Sequence, residues 1–139
     1  MALKASQLKV GDTHSERVVE NLSRTQLVQY AGASGDYNPL HSDEVYSVHA
    51  GYKSVFAHGM LSMGLTGKML TNWVGDARLK KFGVRFTNQV WPGDTLDAKA
   101  TVAAIRQENG EHLVDLTLST VNQDGKEVVS GNAIARVDP

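Results

Sequence analysis

The sequence predicts an α+β fold in which a curved antiparallel sheet wraps around one long buried helix. Residues 59–73 are apolar or small on nearly every side, which is typical of a helix that is buried all round. After Phe82 the apolar residues alternate with polar ones, and this period of two indicates strands. A chain of 139 residues is one domain's worth, so we expect residues 1–139 to form a single unit.

The N-terminal part is expected to hold one strand and two helices. Arg17–Val19 predicts a short strand. Ser23 is followed three positions later by Gln26, which is a capping box and predicts the start of a helix. Ser42 can cap a second, short helix, which would end at Gly51 because glycine is common just past a helix end.

Four strands are expected after the long helix, with alternating residues in the ranges 84–90, 96–104, 113–121 and 128–137. Asn109-Gly110 and Asp124-Gly125 are both dipeptides favoured in two-residue hairpins, and Pro92-Gly93-Asp94 separates the first two strands. The pattern therefore predicts an antiparallel meander. The methionines of the helix fit core packing, and some of them fit the lining of an acyl tunnel.

Composition excludes several classes of protein. The chain has no cysteine, so it has no disulfide framework and no thiolate nucleophile. A net charge of −1 gives no general basic field for nucleic acid. The longest apolar run is far shorter than the roughly 20 residues of a membrane span, and the N-terminus shows no hydrophobic leader, so we expect a cytoplasmic protein.

The segment Tyr30–His41 is too rich in Gly and Pro to predict a helix, and it places one carboxylate and one imidazole five positions apart. Gly32 and Gly35 permit unusual backbone angles, and Pro39 favours an extended residue before it. Such a loop can direct Asp36 and His41 at one water molecule, which would give a general acid/base pair shielded from bulk solvent. The same residues also suit an ordinary turn between two helices.

A second element, Ala57-His58-Gly59-Met60, opens the long helix. Together with the loop it resembles the MaoC-like family of (R)-specific enoyl-CoA hydratases and the related (3R)-hydroxyacyl-carrier-protein dehydratases. The segments 73–76, 84–87 and 92–94 are also similar to this family. The resemblance implies a hotdog fold, a catalytic dyad of Asp36 and His41, and a Gly59 N–H that polarises the thioester carbonyl.

The resemblance also implies a coenzyme A or phosphopantetheine thioester as substrate, no further cofactor and at least a dimer, homomeric or heteromeric. Asn38 is expected to brace the loop, and His58 to satisfy buried backbone at the helix start. Lys80 and Lys81 are candidates for the substrate phosphates. Candidate acyl-lining residues are Tyr52, Val55, Phe56, Met60, Met63 and Trp73.

The sequence is also compatible with other functions. Asp36, His41 and His58 form a possible two-His-one-carboxylate metal set, but hydration beside a thioester needs no metal when an oxyanion hole is present, so we expect none. The chain could act on carrier-protein thioesters as the catalytic subunit of a dehydratase. It could also be a non-catalytic acyl-CoA-binding subunit or a thioesterase.

Overall fold

The computed structural model describes residues 2–139, and that part of the chain folds into three α-helices and five strands. The helices are α1 (Arg24–Ser34), α2 (Glu44–His49) and α3 (Gly59–Val74). The strands are β1 (Thr13–Val19), β2 (Leu79–Phe86), β3 (Leu96–Glu108), β4 (Glu111–Val121) and β5 (Glu127–Val137). Two short 3₁₀ turns cover Ala5–Gln7 and Pro39–His41.

The strands form one antiparallel sheet in the order β1-β3-β4-β5-β2, and α3 packs against it. Alternate residues of β3 and β4, such as Ala100 and Leu116, face the helix residues Met69 and Leu70 in a single core cluster. Burial of these side chains removes their apolar surface from water and holds the helix on the sheet. The predicted α+β hotdog arrangement is confirmed.

The predicted meander is only partly correct. Strands β3, β4 and β5 follow one another as neighbours, but β2 pairs with β5 and not with β3. Strand β2 also ends at Phe86. Val90 lies in the connection from β2, at one edge of the sheet, to β3, which is next to the opposite edge. The alternating pattern marks a strand but contains no information about its neighbour, which explains the error.

The two glycine hairpins differ from each other. Asn109 and Gly110 both have positive φ, 52° and 78°, as a type I′ two-residue turn requires. At the second hairpin only Gly125 has positive φ, at 75°. There the Gly125 N–H donates to the Asn122 carbonyl and the Asn122 N–H donates to the Lys126 carbonyl, so the turn is longer than predicted.

Helix α1 begins as predicted, because Ser23 and Gln26 form both hydrogen bonds of a capping box. The helix nevertheless runs through Ser34, so the first five residues of the expected loop are helical and Gly32 has ordinary helical angles. Gly35, with φ of 76°, is the left-handed residue that ends the helix. One glycine inside a helix costs only about 1 kcal/mol, which the rest of the helix outweighs.

Helix α2 is capped by Asp43 and not by Ser42. The Asp43 side chain accepts a hydrogen bond from the Tyr46 N–H, 3.0 Å away. Gly51 follows the helix with φ of 99°, as predicted for its end. Ser42 instead closes the preceding 3₁₀ turn through its backbone N–H, which donates to the Pro39 carbonyl.

Helix α3 is not buried all round in this chain. Ser62, Thr66, Met69, Leu70 and Val74 are buried against the sheet. The opposite face, which includes Met60 and Lys68, is open because the sheet covers only one side of the helix. None of the helices in residues 2–139 is long and apolar enough to cross a bilayer.

A buried pair of hydroxyls links this helix to the sheet and gives a test of the packing. Thr66 donates to the Ser62 carbonyl, so Thr120 donates to Thr66 across 2.7 Å. Thr66→Val should lower the free energy of unfolding by about 1–3 kcal/mol, because it leaves the Thr120 hydroxyl buried without a partner. The double variant with Thr120→Val should recover most of this loss. Urea unfolding of wild type, both single variants and the double variant measures the coupling, and additive losses would contradict it.

Candidate active site

The loop between α1 and α2 is held in shape by side chains that cap its own backbone. The Asp36 N–H donates to Ser34 Oγ, and the Asp36 carboxylate accepts from the Asn38 N–H at 3.2 Å. Asn38 Oδ1 in turn accepts from the Leu40 N–H at 3.0 Å. Asn38 has φ of −56° and ψ of 124°, the extended conformation expected before Pro39. Asn38 therefore braces the loop and orients the Asp36 carboxylate.

The His41 ring is fixed by a backbone carbonyl. Its Nδ1 lies 2.6 Å from the Phe56 oxygen, and because a carbonyl only accepts, Nδ1 carries the proton. In the neutral ring Nε2 then holds the free lone pair. The Phe56 N–H donates back to the Leu40 carbonyl, so the residue before His41 is tied to the same place. This geometry leaves Nε2 as the nitrogen able to accept a proton.

Asp36, His41 and His58 converge, since one carboxylate oxygen and one ring nitrogen of each histidine all lie within 4.8 Å of one another. Among the described residues the Asp36 carboxylate and the His41 ring form no direct hydrogen bond. A gap of this size suits one bridging water. Asp36 is exposed and His41 is half-buried. The expected shielding of the pair from bulk solvent is therefore not provided by this chain alone.

His58 is buried next to Asp36 and His41. It is 2% exposed, and its Nε2 donates to the Asp36 backbone carbonyl at 3.0 Å. Its ring stacks on His41 with 3.7 Å between centroids, and the edge contact with Tyr30 covers another side. Its Nδ1 is buried without a hydrogen-bond partner in residues 2–139. These contacts give His58 a supporting place, but the carbonyl that it satisfies belongs to the loop residue Asp36 and not to the helix start, where its side chain forms no capping hydrogen bond.

The same stacking argues against a shared metal ion. An ion bound by two imidazoles lies close to the plane of each ring. The His41 and His58 rings are 3.7 Å apart and tilted by only 26°, so their planes meet far beyond the nitrogens. The donor types fit a two-His-one-carboxylate site, but the ring geometry does not.

A cavity of about 420 Å³ lies on the side of Phe56 and Gly59, the neighbours of this cluster, and Asp36, His41 and His58 are not among its lining residues. It is lined by Phe56, Ala57, Gly59 and Ser62, by the segment 86–90, and by Val128. Gly59 is the first residue of α3, so its N–H has no acceptor within the helix. The positive end of the helix dipole is at the same point. An acceptor that carries negative charge would be stabilised there.

Two parts of this cavity were not identified from the sequence. Ser62 is 3% exposed and lies one turn after Gly59 on the buried face of α3. The sequence feature that could have identified it is a hydroxyl on a mostly apolar helix face. The segment 86–90 reaches the cavity because Phe86 packs over Gly59, where an added Cβ would meet the ring at 3.1 Å. Only the tertiary fold brings that segment there.

The expected acyl-lining residues fall into four groups. Phe56 lines the cavity and contacts the His41 ring, and Tyr52 packs on Phe56 with 4.8 Å between centroids. Val55 is in the core at 1% exposure. Met60 is 56% exposed, and Met63 is half-buried on the same helix. Trp73 lies at the far end of α3, where it stacks on His14.

The two expected phosphate ligands differ in their surroundings. Lys80 Nζ lies 2.9 Å from Glu111 and is engaged in that ion pair. Lys81 forms no ion pair with any residue from 2 to 139 and lies on the outer side of the sheet. Only Lys81 is free to meet another anion.

An ion pair between Arg24 of α1 and Glu44 of α2 connects the helices on either side of the loop. The Glu44 carboxylate also accepts from the Val55 N–H at 3.4 Å. The hydrogen bond from Arg24 lowers the pKa of Glu44, and the same bond raises the pKa of Arg24. Both side chains are about half exposed, so water weakens the pair.

Comparison with known proteins agrees with this architecture. Residues 6–123 match the MaoC like domain family. The peroxisomal hydratase-dehydrogenase-epimerase of Neurospora crassa is 35% identical over 118 residues, which are 85% of this chain and only 12% of that protein. The (R)-specific enoyl-CoA hydratase of Aeromonas caviae is 27% identical over 97% of this chain and 99% of its own length.

Among solved structures, the unliganded R-hydratase of Pseudomonas aeruginosa superimposes with a TM-score of 0.87 and 29% identity, covering 99% of this chain and 88% of that chain. The chain therefore belongs to the MaoC like domain family.

The Arg24 and Glu44 pair predicts a pH-dependent contribution to stability. The folded pKa of Glu44 is below its unfolded value, so the stabilisation is complete above the unfolded value and is lost as pH falls through the folded one. Glu44→Gln should lower Tm at neutral pH, and the difference from wild type should shrink below about pH 4. Calorimetry at pH values across this range measures the difference in Tm, with Asp76→Asn as control, because Asp76 is an exposed carboxylate in no ion pair with any residue from 2 to 139. A difference that is constant with pH would contradict the assignment.

Proposed function

We propose that this chain is an (R)-specific enoyl-CoA hydratase, which adds water reversibly to trans-2-enoyl thioesters without a metal or other cofactor. The observation that carries the proposal is the meeting of Asp36 and His41 at a gap suited to one water, beside the free N–H of Gly59. The names of the relatives in Aeromonas caviae and Pseudomonas aeruginosa support it. As a dehydratase the same site runs the reverse reaction.

Asp36 and His41 act on a single water molecule in this mechanism. The lone pair on His41 Nε2 and the Asp36 carboxylate both accept hydrogen bonds, so they can hold the water and take one of its protons. The water oxygen forms its bond to C3 while the C2–C3 double bond supplies electrons toward the thioester carbonyl. The proton taken from the water is then returned to C2, which closes the balance of the reaction.

Gly59 stabilises the charge that develops on the carbonyl oxygen. Its N–H has no helical acceptor, and the helix dipole adds positive potential at the same point. Such preorganised donors act in the transition state more strongly than in the ground state. The cavity bounded by Phe56, Gly59 and Phe86 would hold the thioester at this donor.

We propose that the active form is an oligomer. Two apolar side chains are exposed near the start of α3: Met60, in its first turn, is 56% exposed, and Phe86, the last residue of β2, is 51% exposed. A second copy covering them would also shield Asp36, which is exposed in one chain. The carrier is proposed to be coenzyme A, with a carrier-protein thioester as the alternative.

Removal of either acid/base group tests the function. Asp36→Asn and His41→Asn should each lower kcat for hydration of crotonyl-CoA by about a hundredfold to ten-thousandfold, because each removes one proton-transfer group. Loss of the conjugated thioester absorbance measures the rate, and circular dichroism checks the fold. Asp124→Asn, in an exposed turn, is the matched control. Equal rates in wild type and Asp36→Asn would overturn the proposal.

The role of the Gly59 amide can be isolated with two variants. Gly59→Pro removes the N–H, and proline is well tolerated at the first position of a helix. His58 has φ of −58° and ψ of 136°, which is the conformation that a following proline favours. Gly59→Ala adds the same Cβ against Phe86 but keeps the N–H.

We expect kcat to be about a hundredfold to a thousandfold lower in Gly59→Pro than in Gly59→Ala, since removal of one oxyanion donor costs about this much. Stopped-flow or steady-state hydration of crotonyl-CoA by both variants gives the ratio. Equal kcat values would show that the amide makes no contact in the transition state.

A further inference from the structure

A groove of about 770 Å³ lies on the face of the sheet opposite α3. In β2, Phe82 faces the core around the helix, so the alternate residues Lys81, Gly83 and Arg85 face outward into the groove. Strands β4 and β5 complete the floor with Thr117, Ser130 and Asn132. The groove is larger than the active-site cavity and has no part in the chemistry described above.

The groove owes its depth to missing side chains. Gly83 pairs with Asn132 of β5, and a Cβ added at Gly83 would meet no atom within 4 Å. Its φ is not positive, so the backbone does not require glycine at this position. The space above Gly83 is therefore open to a ligand and is not used by the protein's own packing.

Two free cations flank this opening. Lys81 and Arg85 form no ion pair with any residue from 2 to 139, and four residues of strand place them about 13 Å apart. Arg106, on the other side of the groove, is already neutralised by Asp115 and Glu108. Charged residues on an edge strand can simply prevent pairing with other sheets. Here, however, they stand on either side of the opening at Gly83, along one wall of the groove.

The remaining polar groups of the groove are also without partners. The side chains of Thr117, Ser130 and Asn132 make no hydrogen bonds within the described part of the chain. Hydroxyl and amide groups between two cations suit a ligand that combines phosphates with a sugar and a heterocyclic base. A simple apolar ligand would leave these groups unpaired.

The groove and the active-site cavity share no lining residue, but their linings adjoin in the sequence at the end of β2. Residues 83–85 line the groove, and the next residues, Phe86 to Val90, line the active-site cavity. A long flexible ligand can therefore pass around the end of β2 and occupy both places. Acyl-CoA is such a ligand, with the thioester at one end and a phosphorylated nucleotide at the other.

We propose that this groove binds the 3′-phospho-ADP end of the coenzyme A thioester, with Lys81 and Arg85 contacting its phosphates. The proposal rests on the function proposed above and adds the part of the chain that recognises the carrier. Gly83 provides the space for the nucleotide, and the pantetheine arm leads past Phe86 to the Gly59 amide.

The test compares crotonyl-CoA with crotonyl-pantetheine, which carries the same thioester but no nucleotide or phosphate. The double variant Lys81→Met/Arg85→Met should raise KM for crotonyl-CoA about tenfold, since it removes two exposed charge contacts. Its kcat and its turnover of crotonyl-pantetheine should match wild type. Added salt should raise the wild-type KM for crotonyl-CoA toward that of the variant.

A second variant fills the groove without changing charge. Gly83→Leu should give the same selective rise in KM for crotonyl-CoA. Lys99→Met removes an exposed lysine that does not line the groove, and it should change neither substrate. Turnover of crotonyl-pantetheine in each variant shows that the active site is still folded.

The outcomes separate the two proposals. If wild type hydrates both thioesters and neither the double variant nor Gly83→Leu changes the KM for crotonyl-CoA, the groove proposal is overturned and the hydratase function stands. A selective loss confined to Lys53→Met, whose ammonium lies 4.4 Å from the Trp91 ring centre, would also overturn it. If wild type hydrates neither thioester, the proposed function itself fails.

Discussion

The hydrogen bond from the His58 ring to the Asp36 backbone carbonyl, 3.0 Å long, ties the irregular loop to the start of α3. The residue after His58 is Gly59, so the loop carboxylate and the free helix amide are positioned relative to the same turn of chain. Two residues before His58, the Phe56 carbonyl accepts from His41 at 2.6 Å. The four consecutive residues 56–59 therefore position both Asp36 and His41. They also supply the Gly59 amide at the edge of the cavity.

This arrangement has a cost in stability. His58 Nδ1 is buried with no partner in residues 2–139, and an unsatisfied buried polar atom costs about 1–3 kcal/mol. A phenylalanine would fill the same space without that loss, but it could not donate to Asp36. The histidine is thus explained by what it positions and not by the packing it provides. Local departures from the most stable choice are expected at functional sites.

Local features were predicted well from the sequence. The capping box at Ser23, the Asn109-Gly110 turn and the start of α3 all depend on residues close together in the chain. The features that were missed are of two kinds, one decided by nearby residues and one by distant residues. Helix α1 continues past Gly32 because the left-handed cap forms only at Gly35, and the partner of β2 is decided by the path of residues 87–95 around the sheet.

The candidate site divides in the same way. The closeness of Asp36 and His41 followed from five positions of turn-forming sequence, and the structure brings them together. The hydrogen bond from His58 to Asp36 joins residues 22 positions apart, and Phe86 of strand β2 contacts Gly59 of helix α3. Neither contact can be predicted from a local sequence pattern.

Two pairs of glycine and phenylalanine set strand β2 against helix α3. A Cβ added at Gly59 would lie 3.1 Å from the Phe86 ring, and one added at Gly67 would lie 3.1 Å from the Phe82 ring. Eight residues of helix span about 12 Å and four residues of strand about 13 Å, so both rings meet their glycines at once. A shift of β2 by one residue would turn both rings away from the helix. The register that places Phe86 as a wall of the cavity at Gly59 is therefore the one that turns Lys81, Gly83 and Arg85 toward the opposite face.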